Sequence, residues 1–101
     1  MTAKLTRAAA GEYALAGELS FGSVPGLWQQ SRQQLSTKDA AWRIDLQAVE
    51  RSDSAGLALL LAWVRDARRH SIELSLSNPP AQLREIAGAN GLQGVLLPET
   101  P

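Results

Sequence analysis

The sequence predicts an α/β (α+β) domain, and three observations predict it. Stretches that alternate apolar and polar residues take turns with stretches of helical spacing, the signature of strands and helices layered together. Helix start and stop signals fall between them. The chain has 101 residues, 45% of them apolar, which is enough to bury one core and too few for two. A single domain over residues 1–101 is expected, since no repeat, low-complexity tract or linker divides the chain.

The elements follow in order. Glu12–Ser20 places Tyr13, Leu15 and Leu19 in alternation and reads as a strand, with a short one before it around Lys4–Ala8. Phe21–Leu35 holds a turn and then a helix. Pro25 suits its first turn, where the missing N–H is not needed. Leu27, Trp28, Ser31 and Leu35 recur at helical spacing and should face inward. Ala41–Val49 reads as a strand with Trp42, Ile44 and Leu46 on one face. A long helix follows from about Ser54 to Arg69. Ser71–Ser77 alternates Ile72, Leu74 and Leu76 against Glu73, Ser75 and Ser77, as a half-buried strand does. The next segment opens on Asn78 and two prolines, sets Leu83, Ile86 and Ala87 on one side, and stops at Asn90-Gly91. Gly94–Glu99 is expected to add a last short strand.

The long helix carries a surplus of apolar surface. Leu57, Leu60, Leu61, Val64 and Arg68 fall on one side, which should pack on the sheet. The opposite side holds Ala55, Leu59, Ala62 and Asp66, flanked by Trp63, where a surface helix would carry charge. Either another helix of the domain covers this second face, or it is a docking surface for another protein. Asp53 and Ser54 stand at the helix mouth, where the first backbone N–H groups lack partners. Either can cap the helix. The same position favours an anion, so a phosphoryl group on Ser54 would be tolerated locally, although it would repel Asp53.

Bulk properties exclude several functions. Ten acidic and ten basic residues leave a formal net charge of zero, against the basic stripe that nucleic acids and anionic lipid surfaces require. With no cysteine there is no disulfide, no thiol nucleophile and no Cys-based zinc site. The N-terminus lacks the apolar core of a secretory signal, and the run Leu57–Val64 is far short of the roughly 20 residues that span a bilayer. A soluble, cytoplasmic protein is expected. His70 is the single histidine and stands beside Arg68 and Arg69 at a helix end, where positive charge suits the dipole. Ser54 lacks the glycine-flanked elbow of a serine hydrolase, and no nucleotide-binding glycine motif occurs. Neither a metal nor a cofactor is expected.

Gly17-Glu18-Leu19-Ser20, Asp45-Leu46 and Asp53-Ser54-Ala55-Gly56 together resemble the STAS family, the sulfate transporter and anti-sigma factor antagonist domains. Leu27-Trp28, the helix from Gly56 to Arg68 and the ending Val95–Glu99 resemble its MlaB-type branch. The resemblance implies a four-stranded mixed sheet with helices packed mainly on one face. It implies a non-enzymatic subunit of a phospholipid-transporting ABC complex that maintains outer-membrane lipid asymmetry. Its partner would be the cytoplasmic ATPase, in a complex with an inner-membrane permease, which places it at the cytoplasmic face of the inner membrane. Ser54 then stands at the phosphorylatable or partner-contacting hydroxyl. Asp53, Ser54, Ala55 and Gly56 would meet the partner, with Leu59 and Trp63 as apolar anchors, so that Leu59→Arg should break the complex without unfolding the domain. The alternative is an anti-sigma factor antagonist regulated by phosphorylation of Ser54. Ser20 stands where the family pattern carries an acid, which weighs against a kinase-driven switch.

Overall fold

The sheet begins with a hairpin. In a computed structural model that describes residues 3–91, β1 (Ala3–Ala9) pairs antiparallel with β2 (Glu12–Leu19), with Leu5 opposite Leu15. Gly11 makes the turn at φ 73°, and a Cβ there would lie 2.7 Å from the Ala41 carbonyl oxygen. Only glycine meets both conditions without strain. The chain then crosses through α1 (Val24–Gln34) to β3 (Ala41–Ser52), and through α2 (Ser54–Arg69) to β4 (Glu73–Ser77). Both crossovers join parallel neighbours, giving the order β1-β2-β3-β4, and α3 (Ala81–Ala89) follows. Among the described residues this is the four-stranded mixed sheet that the resemblance to the STAS family implies, with three helices.

Crossovers of one hand that step in one direction leave their helices on one face of the sheet. Burial follows that rule. Leu5, Tyr13, Leu15, Trp42, Ile44 and Leu46 are buried under the helices, whereas Thr6, Glu12, Arg43, Glu73 and Ser75 on the other face are exposed.

β3 runs three residues beyond its expected end at Val49. Between Ala14 and Ala16 of β2 the pairing on β3 advances from Asp45 to Ala48, and between Gly17 and Glu18 it advances from Val49 to Arg51. Each step inserts one extra residue on β3, as a bulge does. Two outward residues, Gln47 and Ala48, therefore precede buried Val49, and two more, Glu50 and Arg51, precede buried Ser52. Strict alternation fails there, so the strand is invisible to a period-two reading. The Asp45 carboxylate accepts from the Gln47 backbone N–H at 2.9 Å and from Asn78 Nδ2 at 3.0 Å. It thereby holds the first bulge to the turn after β4.

The C-terminus of α2 closes with Ser71 at φ 57°. The Ser71 N–H reaches the Arg68 carbonyl at 3.2 Å, and the Ile72 N–H reaches Ala67 at 2.7 Å. This paired closure satisfies the last helix carbonyls and takes Ser71 and Ile72 away from the strand expected to start at Ser71. α3 starts at Ala81 after Pro80, and Asn78 is a turn residue at φ 54° rather than its cap. Its end at Asn90-Gly91 is as expected, with Gly91 at φ 69°. The short strand expected at Gly94–Glu99 lies outside the described residues. Among the described residues no helix is long and apolar enough to cross a membrane.

Candidate functional site: the mouth of the second helix

Leu19 and Ser52 end β2 and β3 side by side. The Asp53 backbone N–H continues that pairing by donating to the Leu19 carbonyl at 2.9 Å. The chain then turns into α2. Asp53 is the N-cap, and its Oδ1 accepts from the Ala55 N–H at 2.7 Å. Its carboxylate is thus committed to the helix start, the stabilising role worth about 1 kcal/mol. Ser52 beneath it is buried. Its N–H donates to Gln82 Oε1 at 2.7 Å, and its hydroxyl donates to the Asp53 carbonyl at 3.1 Å. Gln82 therefore ties α3 to the mouth, a contact with no local sequence signal because its partner is 30 residues away.

Ser54 is exposed, the first residue of α2, with its hydroxyl free of protein partners among the described residues. Beside it Glu18, Ser20, Arg51 and Gln82 line a cleft of about 260 Å³ together with Asp53. Arg51 Nε lies 3.6 Å from Glu18 Oε2 across this cleft. Ser20 is drawn to the other wall, where its N–H donates to Ser23 Oγ at 3.0 Å. Phe21 follows Ser20 in the same loop at 73% exposure, an exposed aromatic with no periodic signal in the sequence.

The remaining expected contact residues lie elsewhere. Leu59 is 2% and Trp63 1% exposed. Trp63 reaches α1, where its Nε1 donates to buried Ser31 Oγ at 3.0 Å. Trp63 packs against α1 and Leu59 lies in the same buried core, so neither residue is an available anchor. An arginine at Leu59 would be forced into the core, so the expectation that it spares the fold is corrected. Ala55 and Gly56 are also buried. A Cβ on Gly56 would collide with Ser52 Oγ and lie 2.8 Å from Leu19 Cβ. The close approach that Gly56 permits is that of α2 to the ends of β2 and β3, and not that of a partner. The exposed residues of α2 are instead Ser54, Ala58, Arg65, Arg68 and Arg69, with half-buried Leu61 beside them.

This arrangement lacks hydrolytic geometry. Ser54 and His70 stand at opposite ends of a 16-residue helix, about 24 Å apart at 1.5 Å per residue. Among the described residues no cluster of His, Cys, Asp and Glu could hold a metal.

The sequence matches the family model described as "Mlab, STAS domain" over residues 5–98. The chain belongs to the STAS family. Its fold is shared by solved structures. It is similar to the anti-sigma factor antagonist SpoIIAA in its unphosphorylated form, at 18% identity and a TM-score of 0.74, covering 98% of this chain and 88% of that one. It is similar to an anti-sigma factor antagonist from Mycobacterium paratuberculosis, at 23% identity and a TM-score of 0.73, covering 96% and 85%. A third structure, Mglu, matches at 20% identity and a TM-score of 0.59 over 77% of this chain and 20% of its own. No curated protein matches. The STAS fold thus accounts for the sheet order and the helices packed on it.

Proposed function

We propose that this STAS domain is a non-enzymatic docking subunit that binds the cytoplasmic ATPase of a phospholipid-transporting ABC complex. The observation that carries this reading is the match to the MlaB-type STAS model along nearly the whole chain. The site supplies a surface suited to it. Ser54, Ala58 and Leu61 form a small-to-apolar stripe at the front of the helix, Phe21 is exposed in the loop after β2, and Arg65 and Arg68 extend the stripe with charge. Docking through such a stripe needs no chemistry at Ser54, only a hydroxyl small enough to be covered. A carboxylate or phosphoryl group in its place would have to be desolvated against the partner.

A second reading is an anti-sigma factor antagonist switched by phosphorylation of Ser54. The exposure of Ser54 at a helix N-terminus favours it, since the helix dipole favours an added anion there. Affinity capture from host membranes separates the two. The docking reading expects an ATPase and a permease to come along, with Ser54 unmodified by mass spectrometry. A stoichiometric Ser54 phosphoform, captured with a kinase and without an ATPase, would establish the second reading instead.

A further inference from the structure

The outward face of α2 changes character along its length. Ser54, Ala58, Leu61, Arg65 and Arg68 follow one another at alternating steps of four and three residues, so they share one stripe of the helix. Arg69 lies one turn after Arg65 and widens the stripe at its end. The first half of the stripe carries no charge. The second half carries three arginines, all exposed. Asp66, the one acidic residue of α2, is half-buried and turns toward α1, where it lines a cleft with Ser31 and Arg32.

The fold itself does not call for this concentration of charge. The helix dipole favours cations in the last turn, which accounts for Arg68 and Arg69. Arg65 stands before that turn, where the dipole's effect has faded. Cations three and four residues apart on a helix repel, and Arg65 faces Arg68 and Arg69 at those spacings. The ion pairs among the described residues are Arg7–Asp39, Arg43–Glu12 and Arg51–Glu18. Every arginine of the sheet thus has a carboxylate partner, and none of these three on α2 has one among the described residues.

From this unmatched charge we infer that Arg65, Arg68 and Arg69 receive a carboxylate-bearing segment of the docking partner. That segment lies along α2 with its acidic residues over the arginine half and uncharged residues over Ser54 and Ala58. The inference rests on the docking reading above and names the chemistry of the partner's side. Charge complementarity selects this occupant, since guanidinium forks pair carboxylates in a bidentate way. A second copy of this chain offers the same face, on which no acid is exposed. An anionic bilayer holds a protein through a cluster of roughly four to eight cations, and half of this stripe has none.

The test is capture of the transporter ATPase from host membranes by the full chain, at about 50 mM and about 500 mM KCl. Wild type should lose about tenfold in capture between the two, as three exposed ion pairs are screened. Arg65→Gln/Arg68→Gln/Arg69→Gln should capture about tenfold less than wild type at the lower salt, lose little more at the higher, and keep its urea midpoint. Lys4→Gln/Lys38→Gln/Arg84→Gln removes the same charge from exposed positions elsewhere and should stay within about twofold of wild type. Wild-type capture that ignores salt overturns the inference without any variant, and so does an equal loss in the control variant. Equal capture by wild type and the α2 glutamine variant, with Ser54→Glu still losing it, overturns this inference and leaves the docking reading standing. Wild type that captures no ATPase overturns both. Binding of wild type to phosphatidylglycerol vesicles without the ATPase, lost in the α2 glutamine variant, assigns the arginines to a membrane and overturns the acidic partner.

Discussion

Replacing Gly56 with alanine should destabilise the domain, even though alanine is the better helix former. The new Cβ would collide with Ser52 Oγ and lie 2.8 Å and 3.1 Å from Leu19 Cβ and Cδ1. Neither neighbour can swing aside. Leu19 is fully buried, and Ser52 is 3% exposed with its hydroxyl bonded to the Asp53 carbonyl. Overpacking of this kind costs about 1–3 kcal/mol, and the gain in helix propensity returns at most about 1 kcal/mol. The net loss should be about 1–2 kcal/mol, a drop in Tm of roughly 5–15 °C for a domain of this size. Urea unfolding measures it as a lower midpoint at unchanged slope. Ser52→Ala removes the nearest atom, so the double variant Ser52→Ala/Gly56→Ala should lose less than the two single variants summed. A Gly56→Ala protein as stable as wild type, or more stable, would refute the tight seating of α2 on the strand ends.

Other outcomes follow from the same contacts. Leu59→Ala should cost about 2–5 kcal/mol in urea unfolding, as a buried leucine does, and Leu59→Arg should leave the chain unfolded by circular dichroism. Asp53→Ala removes the bond to the Ala55 N–H and should cost about 1 kcal/mol, read as a shifted urea midpoint. Tyr13, the chain's single tyrosine, is buried and its hydroxyl donates to Asp39 Oδ2 at 2.8 Å. Burial first, and that bond second, raise its pKa above 10.0. The folded chain therefore keeps a proton that the unfolded chain releases, so this stabilisation is full below about pH 10 and is lost as pH rises through the raised value. Wild type should lose stability more steeply than Tyr13→Phe above that pH, and tyrosinate absorbance should appear late in the folded protein.

Much of the fold is legible in the sequence because local chemistry and tertiary packing agree. Ser54–Arg69 is a helix at both levels, and Trp42, Ile44 and Leu46 alternate because their strand is regular there. The end of β3 is hidden by its two bulges, whose cause is pairing with β2 rather than anything local. The site divides the same way. Asp53 and Ser54 sit at the helix mouth as their residue types suggest. Leu59, Trp63 and Gly56 look like surplus apolar surface and spare room only when α2 is considered alone. Once α1 and the strand ends are in place they are core. Helical periodicity marks which residues share a face and says nothing of how many neighbours cover it. Phe21 and Gln82 carry no periodic signal, and their places depend on a loop and on a contact across 30 residues.

The proposed contact with the transporter ATPase runs through the exposed stripe beginning at Ser54, and not through the buried residues Leu59 and Trp63. The most direct test measures capture of that ATPase from host membranes by wild type, Ser54→Glu and Ala58→Arg, with each bait first shown to be folded by circular dichroism. Both substitutions are on exposed positions and should leave the fold intact while reducing capture by at least about tenfold, as new charge at a covered contact does. Undiminished capture by both folded variants would contradict the account.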